Sequence, residues 1–228
     1  MIQKWKIDLT FIEQGDIYFF YKPKKGIETV SGMDDVSRFF IVLDPLDGPA
    51  RYVVMGNKKL PIVNDGRETT WGFVQMVGGR GFQTYKEQKG TPQKGASRPA
   101  GEGIYAILKH RDHSHLLYKL ELPKRIGEVQ KSFSIEKEGN YILLHRPAHR
   151  RPSSPDAPFS NYSPVSVTQS LNQKSTQILL VGVGGDIGRL GIRAEHEEES
   201  MKSADIFSKL KVDTSRHPST ALLSGKWE

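Results

Sequence analysis

Gly15-Asp16-Ile17-Tyr18-Phe19-Phe20-Tyr21 is the stretch on which the fold class turns. Five β-branched or aromatic residues run together and stop at Pro23 and Gly26, which is too short for a stable helix and typical of a strand. Both faces of such a strand are apolar, so it is expected to be central, with other chain packed on each side. Gly15-Asp16 reads as a turn that separates it from a preceding strand over residues 5–11. There Trp5, Ile7, Leu9 and Phe11 alternate with Lys4, Lys6, Asp8 and Thr10, a period of two that places the apolar set on the core and the other in water.

Working outward, the same grammar recurs at residues 39–43, 52–55 and 71–77, with turn signals at Asp44-Pro45-Leu46-Asp47-Gly48, Gly56-Asn57 and Asn64-Asp65-Gly66. Residues 104–108 and 116–122 flank the polar run Lys109-His110-Arg111-Asp112-His113-Ser114-His115, which predicts a hairpin with a charged tip. A further strand, 141–144, is expected after a turn at Glu138-Gly139-Asn140. Between 147 and 176 five prolines sit among Ser, Asn, Gln and Arg, the composition of a linker or long surface loop. Order is expected again in a strand at 177–183 and in a helix at 201–210, where Met201, Ala204, Phe207 and Leu210 form an apolar stripe. The expected architecture is therefore α+β and mainly antiparallel β, a barrel or sandwich, with one C-terminal amphipathic helix. Three parts follow: a β domain over 1–146, the proline-rich stretch 147–176, and a C-terminal strand, helix and tail over 177–228 docked on the first.

The chain of 228 residues contains no cysteine, which excludes disulfides, thiolate metal sites and cysteine nucleophiles. Its N-terminus alternates apolar with charged residues instead of building the apolar stretch of a signal peptide, and no apolar run reaches the ~18 residues of a membrane span. A cytoplasmic protein with no membrane partner is expected. Lys and Arg outnumber Asp and Glu by 25 to 17 through Arg151 and trail them by 8 to 9 afterwards, so the net charge of +7 belongs to the first two thirds. That asymmetry suits nucleic acid or another polyanion. Candidate contacts are Lys22, Lys24, Lys25, Lys58, Lys59, Lys109 and Arg111, some interleaved with aromatics as on surfaces that stack single-stranded nucleic acid.

Imidazole and carboxylate are the usual ligands of zinc, nickel and iron, which makes His110, His113 and His115, with Asp112 or Glu121, a candidate metal centre. The alternation from Leu116 to Leu122 opposes it, because it turns His113 and His115 outward. His-x-His on a strand is similar to the cupin metal motif, but Ile107 stands where that motif has a glycine. Val181-Gly182-Val183-Gly184-Gly185-Asp186-Ile187-Gly188 superficially suggests a dinucleotide turn, yet Ile187 takes the third glycine position and Gly191 interrupts the turn where a helix N-terminus is needed. A Walker A loop, a Gly-x-Ser-x-Gly elbow and a His-Glu-x-x-His helix are missing from the sequence, so no catalytic residue or cofactor is assigned.

Several strings resemble a family of bacterial proteins of unknown function: Gly15 to Tyr21 as quoted, Lys58-Lys59-Leu60-Pro61, Trp71-Gly72-Phe73-Val74, Arg98-Pro99-Ala100-Gly101-Glu102-Gly103-Ile104-Tyr105 and His115-Leu116-Leu117-Tyr118-Lys119-Leu120-Glu121-Leu122-Pro123. Ala204-Asp205-Ile206-Phe207 and Arg216-His217-Pro218 resemble its C-terminal portion. The resemblance implies one cytosolic unit and lends no activity. The expectation is a non-catalytic binding or interaction protein; the alternatives are a polyanion binder and a metal-dependent enzyme at the histidines.

Overall fold

The aromatic run at residues 17–21 lies inside a strand of fifteen residues, β1 (Leu9–Pro23), which has a partner along each edge. The computed structural model describes residues 9–63, 66, 68–78, 96–110, 113–147, 162–165, 168–184 and 218–228, without the side chains of Leu9, His110 and Thr168. Strand β2 (Val36–Pro45), β3 (Ala50–Met55) and β4 (Thr69–Gly78) follow β1 as a meander. On the other edge of β1 a second meander runs through β5 (Arg98–His110), β6 (His113–Leu122) and β7 (Glu138–Arg146). Strand β9 (Gln177–Gly182) pairs with β4 on one side and β7 on the other, which closes eight antiparallel strands into a barrel in the order β6-β5-β1-β2-β3-β4-β9-β7. The two-residue β8 (Ser163–Pro164) pairs with β7 at Leu144 and His145.

The wall is apolar on both faces where β1 predicted it. Ile17, Phe19 and Tyr21 turn into the barrel with Phe39, Ile41, Leu43, Val53, Met55, Tyr118 and Tyr141, while Tyr18, Phe20, Phe40, Val42, Tyr52 and Val54 form a second buried cluster outside. Phe20 stacks on Phe40 at 5.2 Å outside and Phe19 meets Tyr118 edge-on at 5.1 Å inside, so the strand is anchored by ring pairs through both faces.

Two turns expected from glycine are strand instead. Gly15 sits in mid-β1 opposite Pro45, and a Cβ there would overlap the carbonyl oxygen of Asp44. Gly139 sits in β7 opposite Tyr118, whose ring occupies the place of its missing side chain. These glycines admit a close neighbour and do not bend the chain. A third expectation fails at Phe11, which is 55% exposed. Ile12 is an extra residue between Phe11, opposite Leu108, and Glu13, opposite Ile107; this bulge shifts the alternation and puts Phe11 outside and Glu13 inside.

One end of the barrel is plugged. Between β6 and β7 the short helix α1 (Glu128–Ser132) delivers Val129 and, one residue past its end, Phe133 into the core, where Phe133 stacks on Phe39 at 4.7 Å. A helix of five residues does not hold alone. Here the Gln130 amide fixes it, donating to Ala100 O at 2.7 Å and to Ala221 O at 2.9 Å, the latter in α2 (Thr220–Ser224). Beyond α2, Trp227 meets Tyr21 at 5.5 Å, and the Glu228 carboxylate takes hydrogen bonds from Arg98 Nε at 2.6 Å and Val30 N–H at 3.1 Å. The helix expected at 201–210 lies outside the described residues. Among the described residues no helix is long and apolar enough to cross a membrane.

Candidate functional site

The opposite end holds what the sequence did not announce. Because the Ile12 bulge turns Glu13 inward, its carboxylate meets Arg51 of β3, which shares the inner face with Val53 and Met55. Tyr105 of β5 completes the group: its hydroxyl donates to Glu13 Oε1 at 2.6 Å and accepts from Arg51 Nη2 at 3.1 Å, while the same Nη2 donates to Glu13. Arg51 is 0% exposed, Tyr105 3% and Glu13 8%, so this is a buried ion pair bridged by a phenol. Burial pushes the Tyr105 hydroxyl well above its ordinary pKa and keeps it a neutral donor.

Arg51 borders a cavity whose other walls include Leu43, Val74, Leu116, Leu143, Leu171 and Ile178. As the side chains stand, it leaves room for about one water molecule. Leu171, 2% exposed, comes from the short 3-10 turn Thr168–Leu171; that segment is held by Val74 N–H donating to Thr176 O at 2.8 Å and Ser175 N–H donating to Val74 O at 2.7 Å. Val165, fully buried, packs nearby in the same core and accepts a short hydrogen bond from Ser114 Oγ. Two nitrogens of Arg51, Nε and Nη1, are buried and have no partner among the described residues. A guanidinium has five N–H donors, and leaving a buried donor unmet is costly. The cavity's wall is apolar throughout, and Arg51 borders it without turning a polar atom into it.

The histidines fall elsewhere. His113 and His115 share the face of β6 opposite Leu116, Tyr118 and Leu120, as the alternation predicts, with rings 4.9 Å apart. His115 Nδ1 lies within hydrogen-bond distance, 2.8 Å, of the Asn140 side-chain amide. The backbone of His110 pairs with that of His113, but its side chain, Arg111 and Asp112 lie outside the described residues. Among the described residues no three His, Asp or Glu side chains stand close enough to hold a metal ion. His145, on β7 beside Ile178, has a buried Nδ1 without a partner among the described residues, and burial lowers its pKa.

The basic candidates split. Lys22, Lys24 and Lys25 at the end of β1 and Lys58 and Lys59 after β3 gather at the plugged end, where Arg38 pairs across from Lys22. Lys58 Nζ donates to Val36 O at 2.7 Å and Lys59 Nζ pairs with Glu68 at 2.8 Å. Asp35, on this rim, is held below the usual carboxylate range first by hydrogen bonds from Ser31 and also by Lys24. Lys109 lies near the far end of β5, opposite Thr10, so the seven do not form one patch.

The signal for the buried cluster was present only in part. Arg51 shares parity with Val53 and Met55 in Ala50–Met55, but with Tyr52 and Val54 equally apolar the sequence does not say which set faces inward. Glu13 needed the bulge, which no residue type announces. Protein-family models, curated proteins and solved structures compared with this chain give no match, so function is read from the barrel itself.

Proposed function

We propose that this chain is a non-catalytic binding protein that holds a small ligand inside its barrel, against Arg51. One observation carries the reading: a fully buried guanidinium, with Nε and Nη1 unpartnered among the described residues, borders an apolar cavity in a closed eight-stranded barrel. Barrels of this strand number are just wide enough either to be filled by side chains or to hold one small ligand. Here the plugged end follows the first pattern, and beside Arg51 the filling leaves a gap of about one water molecule, which a ligand would widen by moving the lining side chains. The Glu13–Arg51–Tyr105 cluster supplies orientation through hydrogen bonds, and its carboxylate and phenol are engaged with each other and with Arg51, which favours binding over turnover.

The test is a fragment screen followed by methyl resonances of the full chain. Fragments that bind inside shift the methyls of Leu43, Leu116, Leu143 and Ile178 together. A screen in which those methyls stay unmoved while surface resonances respond would remove the interior as the site.

A further inference from the structure

Independently of the barrel interior, we infer that the plugged end carries a peptide-binding site, selective for an aromatic residue followed by an acidic one, which Trp227 and Glu228 fill in cis. The groups that build it come from distant parts of the chain. Arg98, at the start of β5 and 2% exposed, donates from Nε to Glu228 Oε1 at 2.6 Å and from Nη2 to Glu228 Oε2 at 3.2 Å. Nη1 donates to Ala96 O and Nη2 also to Glu28 O at 2.8 Å, which fixes the guanidinium as a fork aimed at a carboxylate. Val30, between β1 and β2, meets both the side chain and the backbone of the same residue: its N–H donates to Glu228 Oε2 at 3.1 Å and its O accepts from Glu228 N–H at 3.0 Å. One residue earlier, the Trp227 ring meets Tyr21 edge-on at 5.5 Å and Phe133 at a tilt at 5.9 Å.

A free anion would engage Arg98 alone, whereas the Val30 pairing and the corner of rings ask for peptide. The occupant is detachable because the eight strands of the barrel pair without residues 225–228. Helix α2 is anchored separately, through Ala221 and Leu222, 1% and 0% exposed, and through Gln130. Gly225 follows α2 in the left-handed region, φ 71°, and its O accepts from Val129 N–H at 3.0 Å, so the residues beyond this point leave as a unit while α2 stays. Their departure strands the buried Arg98 charge, and a second segment of the same chemistry restores its partner.

The experiment titrates the full chain carrying Trp227→Ala and Glu228→Gln, which removes both anchors, with the acetylated and amidated peptide of residues 225–228. Binding is read from the Arg98 Nε–H resonance and the Tyr21 ring. The expected result is saturable binding at least about tenfold tighter than to the unmodified chain, whose own segment competes at an effective concentration of about millimolar. A peptide with Gln in place of Glu should bind at least about tenfold more weakly, having lost the charge-assisted pair. No binding to the variant, or equal binding of the two peptides, would overturn the site. If the variant does not fold, native-state hydrogen exchange of the unmodified chain decides: Val30 and Glu228 N–H, bonded across the site, should exchange together while Leu60 N–H, bonded to Phe133 O, stays protected. Equal protection of all three would make the segment part of the barrel's own opening and overturn the inference. The reading of the interior at Arg51 is untouched by either result.

Discussion

Arg51 is the residue whose environment departs furthest from that of an ordinary barrel interior, and its energetics can be separated from any ligand. Removing one partner of a buried pair strands the other charge, at a cost of about 3–5 kcal/mol, whereas removing both charges often costs much less. Arg51→Met alone leaves Glu13 with Tyr105 as its remaining hydrogen-bond donor in the cluster. Chemical denaturation should therefore find Arg51→Met less stable than Arg51→Met combined with Glu13→Gln, by at least ~1 kcal/mol. A double variant as unstable as the sum of the singles would show that the pair is not coupled as the geometry requires. The interior phenols make a second residue-scale prediction. Tyr21, Tyr105, Tyr118 and Tyr141 are all raised above the ordinary 10.0, in each case chiefly by burial. Above that pH the unfolded chain gives up these protons while the folded chain keeps them, so their contribution is whole below about pH 10 and lost as pH rises further. Each tyrosine steepens the loss by up to about 1.4 kcal/mol per pH unit. Denaturation midpoints at about pH 9 and about pH 11 should differ sharply, and Tyr105→Phe should flatten that slope; an unchanged slope in the variant would exclude Tyr105 as a contributor.

At the scale of elements, the glycine of mid-β1 separates two meanings of the same residue. Gly15→Ala places a methyl onto the Asp44 carbonyl, in backbone that cannot swing aside as a side chain can. It is expected to cost about 1–3 kcal/mol. Gly32 lies in extended backbone with open space around it, and Gly32→Ala should stay within about 0.5 kcal/mol of the unmodified chain. Thermal melts of the two variants decide the matter, and equal stability would mean that β1 and β2 are not as close at Gly15 as the register implies. The same contrast explains how far the sequence could be read. Strands with strong alternation or solid aromatic runs, such as residues 17–21, 39–43 and 116–122, are legible because burial of apolar side chains creates both the pattern and the structure. A glycine is ambiguous, since a tight turn and a close strand contact ask for the same absent side chain, and Gly15 and Gly139 therefore read as turns in the sequence. Helix α1 was not legible at all, because its five residues hold through Gln130 and Phe133 contacts distant in sequence. The buried cluster joins residues 13, 51 and 105 of three strands, and no local window contains more than one of them.

Closure of the ring sets how the whole molecule loses its structure. β9 is supplied from beyond the proline-rich stretch, yet it bonds to both β4 and β7, and Leu180, 0% exposed, packs in the main core. If the barrel behaves as one cooperative unit, a defect in β9 must lower the stability of both ends equally, since neither meander retains a closed interior without it. If residues 177–182 instead form a detachable edge, the defect should loosen only their neighbours. Two amides report on the alternatives: Val74 N–H, which donates to Thr176 O next to β9, and Leu60 N–H, which donates to Phe133 O at 2.9 Å in the plugged end. Leu180→Ala removes a buried side chain and should cost about 2–5 kcal/mol. Native-state hydrogen exchange is expected to show that loss at Val74 and at Leu60 alike. Protection retained at Leu60 while Val74 exchanges freely would divide the chain into separable units and detach the ligand cavity, which Ile178 helps to line, from the stability of the plugged end.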